Sequence, residues 1–78
     1  MSEINEAFGR LVIKLRNNRN QSQEDFAWSI GSERKYMSDV ELGKRNISLL
    51  FAKRVADGFG ITLYDLFTML ENEIIHKD

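Results

Sequence analysis

A chain of 78 residues, of which 42% are hydrophobic and 29% charged, has room for one globular domain and not for a second. The absence of cysteine excludes a disulfide framework and a thiolate zinc site, and no apolar run approaches the roughly 20 residues that span a bilayer. The net charge of −1 hides an asymmetry that permits DNA binding: residues 10–54 carry ten basic and five acidic side chains, while both flanking segments are acidic.

The first helix is predicted from about Ile4 to Asn18, where apolar residues recur at helical spacing. This stripe consists of Ile4, Phe8, Leu11, Val12 and Leu15. The few residues before it are polar and acidic, unlike a secretory signal, so we expect a cytoplasmic protein. The polar run 17–21 has poor helix propensity and predicts a loop.

The second helix is predicted to begin after Ser22, whose hydroxyl can accept from a backbone N–H at the helix start. Asp25 follows three residues later, close to the pattern of a capping box. Gly31 ends this helix because glycine tolerates a left-handed conformation. We expect Trp28, on the outer side of the helix, to pack against the first helix.

The third helix is predicted over 33–42, with Ser32 as its cap and Gly43 at its end. It carries few apolar residues, and among these Met37 and Val40 are expected to point inward. A helix with so little to bury usually keeps most of its surface free for another purpose.

Two more helices complete the predicted fold. Ser48 caps the fourth, which ends in the glycine-containing stretch 58–60, and Thr62 caps the fifth, which ends near His76. The sequence has no strand signal, no proline and no low-complexity linker. We therefore predict an all-α fold of five helices in a single domain covering 1–78.

Enzymatic functions find no support in the sequence. His76 is the only histidine and has no partner for acid–base work. The stretch 58–60 follows a helix rather than a strand, so it is not a dinucleotide-binding loop. We predict no catalytic residue, no cofactor, no metal and no small-molecule substrate.

Residues 22–42 combine two short helices with a glycine turn, which is the pattern of a helix-turn-helix. The strings QEDFA at 23–27 and MSDV at 37–40 resemble the helix-turn-helix of the phage-repressor and Cro (XRE-type) family. Within that family, RKYMS at 34–38 and RNISL at 45–49 are especially similar to controller proteins of restriction–modification systems. The resemblance implies a lambda-repressor-like domain that acts as a dimeric transcriptional regulator.

The resemblance places the N-terminal half of the third helix in the major groove of DNA. The candidates for base readout are Arg34, Lys35, Tyr36 and Asp39. Arginine or lysine reaching guanine O6 and N7 is the commonest specific contact, whereas Asp39 either accepts from cytosine N4 or orients Arg34 or Lys35. The candidates for phosphate contact are Gln23, Ser38, Lys44, Arg45 and Asn46.

Several of these residues have an ordinary structural alternative. Gln23 can serve as part of a helix start without touching DNA, and Tyr36 can pack at the helix edge. Ser38 and the pair at 44–45 can be a solvated surface. In the family, the positions of Arg16 and Glu41 pair inside the fold, so a partly buried salt bridge is expected between them.

The fifth helix, about 62–75, carries an apolar stripe predicted to form a homodimer interface. The stripe consists of Leu63, Phe67, Leu70 and Ile74, with Phe67 and Leu70 expected nearest the two-fold axis. In the alternative, it only closes the core of its own chain. A dimer would present two recognition helices about 34–36 Å apart to successive major grooves of a pseudo-palindromic operator.

The partners expected are thus double-stranded DNA, a second copy of the chain and, for a regulator of transcription, RNA polymerase. A phage-type repressor or an antitoxin that also masks a toxin is an alternative within the DNA-binding class. A protein-interaction module built on the same helices is the alternative from a different class. Binding to duplex DNA that weakens steeply with salt distinguishes DNA binding from that module.

Overall fold

The computed structural model describes residues 2–76, so Met1 and the last two residues of the predicted domain lie outside it. The described residues form five helices and no strand: α1 (Glu3–Asn18), α2 (Gln23–Ser29), α3 (Arg34–Glu41), α4 (Leu49–Gly58) and α5 (Leu63–Ile75). The all-α prediction is confirmed. None of these helices is long and apolar enough to cross a membrane.

Side-chain caps begin three of the helices where the sequence predicted them. The hydroxyl oxygens of Ser22, Ser48 and Thr62 each accept from a backbone N–H three residues later, at 3.0 Å. These caps satisfy N–H groups that have no partner within the helix. The starts of α2, α4 and α5 therefore follow from local chemistry.

The predicted cap of the third helix is wrong. Ser32 takes part in ending α2 instead, because its N–H donates to the carbonyl of Ala27 at 2.8 Å while Gly31 adopts a φ of 71°. This is the hydrogen-bond pattern of a Schellman motif. The helix then begins at Arg34, with Glu33 in the cap position and no side-chain hydrogen bond there.

The core lies between α1 and the other helices. Its largest fully buried side chains are Phe8, Val12, Phe26, Met37, Val40, Val55 and Leu66. Ile4, the first residue of the predicted stripe, is exposed in the first turn of α1. The expectation that Trp28 packs against the first helix is wrong. Trp28 is 86% exposed, because α2 buries the face that carries Phe26 and Ala27 and Trp28 points away from it.

Gly9 allows the end of α3 to lie directly against α1. A Cβ atom at this position would sit 2.6 Å from the carbonyl oxygens of Val40 and Glu41, closer than real Cβ contacts. The sequence alone gives no sign of this role, since a glycine inside a helix ordinarily only weakens the helix. Glycine is needed at position 9 because the backbone of α3 lies directly against it.

A cluster of three charged side chains ties α5 to α1. The buried carboxylate of Glu73 accepts from Arg10 Nε at 3.0 Å and from Lys14 Nζ at 2.8 Å. The hydrogen bond from Lys14, together with that from Arg10, outweighs the opposing effect of burial and lowers the pKa of Glu73 below its ordinary value of 4.5. The cluster therefore stabilises the fold only while Glu73 is ionised.

The Glu73 cluster predicts a specific dependence of stability on pH. A carboxyl group whose pKa is lowered by folding contributes stability above its unfolded pKa and loses it as the pH falls through the folded pKa. We expect Glu73→Gln to lower the urea midpoint at neutral pH, and the gap from the wild type to close below about pH 4.5. Equilibrium unfolding followed by circular dichroism measures both chains. A gap that stays constant into the acid range contradicts this role.

Candidate nucleic-acid interface

The helices α2 and α3 form a helix-turn-helix around the left-handed Gly31. Ala27 is buried where the two helices meet, and Met37 and Val40 are fully buried on the inner side of α3. On the outer side of α3, the charged residues Arg34 and Lys35 are exposed. The helix is thus held from within and displays its other face.

The displayed face brings together four of the predicted DNA-contact residues. Arg34 and Lys35 are exposed in the first turn of α3, and Ser38 is half-buried one turn later. Together with Gln23 at the start of α2, they line a shallow depression of about 310 Å³. Base or phosphate contact by these residues stays a prediction.

Glu41 connects α3 to both of its neighbours. Arg16 of α1 donates to both carboxylate oxygens, from Nε at 2.7 Å and from Nη2 at 3.0 Å. The ion pair expected from the resemblance is therefore present, and it is more enclosed than expected because the side chains are only 13% and 5% exposed. The third nitrogen of Arg16 donates to the carbonyl of Gln21 at 2.9 Å.

Gln23 has a structural role beside its predicted phosphate contact. Its amide nitrogen donates to Glu41 at 2.9 Å and so ties the start of α2 to the end of α3. One amide hydrogen and the amide oxygen remain for another partner.

Tyr36 is held between the core and a cation. Its ring meets that of the buried Phe51 edge-on, with centroids 5.0 Å apart, and the guanidinium of Arg45 lies 5.1 Å above it. The ring is half-buried, so Tyr36 packs at the edge of the helix as the structural alternative expected. Its hydroxyl group is the part left for a contact with DNA.

Asp39 orients its neighbours, the second of its two predicted roles, but its partners differ in part from those expected. Its side chain is only 12% exposed and accepts from Lys35 Nζ at 3.3 Å and from Arg45 Nη2 at 3.1 Å. Burial raises the pKa of Asp39, but the hydrogen bonds from Lys35 and Arg45 outweigh it and lower the pKa below 3.8. Lys35 is one of the two partners expected, and Arg45 stands in place of Arg34. Arg45 reaches Asp39 only because the chain turns at Gly43.

The loop after α3 presents three predicted phosphate contacts, Lys44, Arg45 and Asn46, all exposed. A long-range bond that the sequence did not indicate fixes this loop to α1, because the amide nitrogen of Asn5 donates to Asn46 Oδ1 at 2.7 Å. Asn5 is nearly buried and stands 41 residues earlier in the chain. The loop is therefore tied to α3 through Arg45 and to α1 through Asn46.

The predicted dimer stripe on α5 needs correction. Leu70 is only 7% exposed and belongs to the core of its own chain, and Leu63 and Ile74 pack partly against that core. Phe67 alone of the four is exposed, at 39%. The stripe thus mainly closes the chain's own core, because α1 packs against α5.

A partly overlapping apolar surface is exposed beside α5, since Phe67 and Leu70 of the stripe also line it. Phe67, Leu49 of α4 and Ile4 of α1 line an apolar groove of about 200 Å³ that also reaches Ile47 in the loop after α3. Leu49 is 73% exposed. We call these four residues and the space between them the apolar groove. It brings together the first turns of α1 and α4, the second turn of α5 and the loop after α3.

Comparison with known proteins agrees with this geometry. The family described as helix-turn-helix matches residues 12–66, which include all of α2, α3 and α4. The control protein C.MunI from a Mycoplasma species is 43% identical over 74 residues, covering 94% of this chain and all of the relative. This chain belongs to the helix-turn-helix control proteins.

Other control proteins extend the match. C.BamHI from Bacillus amyloliquefaciens is 37% identical to this control protein, covering 83% of this chain and 84% of the relative. The crystal structure of the restriction–modification controller C.Esp1396I, a tetramer in complex with its natural 35-base-pair operator, is similar with a TM-score of 0.89 and 25% identity. That match covers 97% of this chain and 100% of the other.

The enclosed Arg16–Glu41 pair predicts a large effect on stability. Arg16→Ala leaves a buried carboxylate without its main partner, and such a loss costs about 3–5 kcal/mol. We expect a clearly lower melting temperature by circular dichroism. Arg34→Ala is the matched control, because it removes an exposed arginine and should leave the melting temperature unchanged. A normal melting curve for Arg16→Ala would show that the pair does not hold the helices together.

Proposed function

We propose that this control protein regulates transcription by binding a pseudo-palindromic operator as a homodimer in the cytoplasm, as part of a restriction–modification system. The observation that carries the proposal is the two-sided construction of α3. Its inner face is fully buried, while Arg34 and Lys35 project from its first turn beside a basic loop. The 43% sequence identity with C.MunI, over 94% of this chain, supports the same function.

Arg34 is the strongest candidate for reading a base. It is exposed at the start of α3 and forms no ion pair within residues 2–76. A guanidinium group can donate two hydrogen bonds to guanine O6 and N7 at once. Lys35 and the hydroxyl of Tyr36 lie beside it as further candidates, and Lys35 is partly engaged with Asp39.

The candidates for phosphate contact surround these candidates for base readout. Ser38 and Gln23 line the same depression as Arg34, and the loop residues at 44–46 are exposed beyond the end of α3. Positively charged and amide side chains around a recognition helix fix its register on the duplex. The net charge of −1 does not oppose binding, because the acidic residues concentrate outside 10–54.

A second copy of the chain is the proposed occupant of the apolar groove. A helix of eight residues reads too few base pairs to select one operator, whereas a two-fold dimer doubles the sequence that is read. Phe67 and Leu49 of the groove are exposed and can enter the same groove of a partner. The controller C.Esp1396I is a tetramer on its operator, which supports an oligomeric protein here.

Selection of bound duplexes from a random pool tests the function. We expect enrichment of one inverted repeat, and we expect its affinity to fall steeply as salt is raised, because bound phosphates release counterions. A protein-interaction module would enrich no sequence. An antitoxin could enrich one, and would differ by forming a stable complex with a toxin encoded beside it.

Base readout and phosphate contact predict different mutant behaviour. Arg34→Ala should weaken binding to the selected operator by about 1–3 kcal/mol and relax the preference at one base pair. Lys44→Ala removes an exposed loop cation and should weaken operator and random duplexes alike, with a salt slope lower by about one. Fluorescence anisotropy on both duplexes measures these effects. Equal losses on both duplexes for Arg34→Ala would remove it from base readout.

The dimer prediction uses exposed positions, so that the fold is preserved. Phe67→Glu places a charge in the apolar groove and should convert the dimer to a monomer at micromolar concentration, with weaker operator binding. Trp28→Glu makes the same kind of change at an exposed aromatic residue outside the groove and should leave both properties intact. Sedimentation velocity decides between them. A wild-type chain that is already monomeric under these conditions contradicts the dimer.

A further inference from the structure

Asp39 occupies an unusual place for an acidic residue. It lies on α3, the helix proposed to enter the major groove, among four of the chain's basic residues. Its carboxylate is nearly buried, and each oxygen accepts from a different cation, Lys35 at 3.3 Å and Arg45 at 3.1 Å. A negative charge in this position weakens the attraction of any phosphate, so its presence calls for a compensating role.

The two cations come from different parts of the chain. Lys35 stands one turn earlier on the same helix, and its side chain is 81% exposed. Arg45 stands in the loop after α3, which has no regular structure, and half of its side chain is exposed. Both cations contact the carboxylate of Asp39, so this group sets the distance between the ammonium group of Lys35 and the guanidinium group of Arg45.

Two further contacts make the position of Arg45 definite. Its guanidinium lies over the ring of Tyr36, which in turn packs edge-on against the buried Phe51. The N–H of Lys44 donates to the carbonyl of Asp39 at 2.9 Å, so the backbone of the loop returns to the same residue. The geometry joins helix, loop and core at Asp39.

We propose that Asp39 is a positioning residue that sets the discrimination between operator and other DNA by holding Lys35 and Arg45 at a fixed separation. The proposal rests on the proposed DNA-binding function. Cations free to move can each find a phosphate on any duplex, which strengthens binding without regard to sequence. Cations held by Asp39 meet their acceptors together only where the bases and backbone match their spacing. On the operator this positioning offsets the attraction that the negative charge removes, so Asp39 lowers affinity only for other DNA.

The chain offers a matched control for removing this charge. Asp57 of α4 accepts from Lys53, four residues earlier as in the Lys35–Asp39 pair, at 2.7 Å, but both side chains are largely exposed. Asp57→Asn and Asp39→Asn therefore make the same change of net charge and break the same kind of helical pair. Any difference between them reflects the place of Asp39 rather than the lost charge.

The test compares dissociation constants for the selected operator and for a scrambled duplex of equal length. Asp39→Asn should bind the scrambled duplex more tightly and the operator no more tightly, so that their ratio falls by about tenfold, the size of one lost specific contact. Asp57→Asn should keep the wild-type ratio. The proposal is overturned if Asp39→Asn, with a normal circular dichroism spectrum, also keeps it.

A second variant avoids dependence on a nearly buried position. Arg45→Lys keeps the charge at a half-exposed site but loses the planar group that bridges Tyr36 and Asp39. We expect weaker operator binding with little change on the scrambled duplex. Unchanged binding to both duplexes would also overturn the proposal. If the wild-type chain itself shows no preference for any duplex, the proposed function fails instead, and the two failures are distinct.

Discussion

The carboxylate of Glu41 joins three of the five helices, and the position of the recognition helix α3 depends on it. Arg16 approaches it from α1 and Gln23 from α2, all within hydrogen-bonding distance. Such an arrangement forms only where the end of α3 lies directly on α1, and Gly9 provides that space. A buried ion pair with this many hydrogen bonds fixes the position of α3 relative to α1 and α2 as well as contributing to stability. A helix that must fit a DNA groove needs such a fixed position.

With its end fixed in this way, α3 can display charge over its remaining surface. Met37 and Val40 fill the core, so that Arg34 and Lys35 project without any need to bury apolar atoms. The loop beyond Gly43 is then fastened twice, by Asn5 to α1 and by Asp39 to α3. The proposed interface is therefore built from side chains on rigid supports, which is what recognition of a fixed pattern of acceptors requires.

The fifth helix contributes mainly to the chain's own core. Leu66 and Leu70 are buried, and Glu73 pairs with two cations of α1. What remains for association is the apolar groove, which is assembled from α1, α4 and α5 and bounded on one side by the loop that follows α3. Ile47 of this groove directly follows Asn46, one of the proposed phosphate contacts, in that loop.

The sequence by itself determined the five helices, the glycine at the helix-turn-helix turn and the exposed cations of α3. These features depend on local rules, namely caps, apolar spacing and left-handed turns, which act over a few residues. The Arg16–Glu41 pair was also found, although only through the family resemblance. Local rules placed Trp28 and Leu70 wrongly, because the burial of a side chain depends on which helix covers it.

Only the tertiary structure decided the partners of Asp39, Asn5 and Gly9. The Asn5–Asn46 bond spans 41 residues, and the contact of Gly9 is with the backbone of α3, so neither leaves a periodic pattern in the sequence. Packing α1 against α3 brings Gly9 against the end of α3 and Asn5 against the loop that follows it. Their roles arise from that proximity, which a linear pattern of residues does not contain.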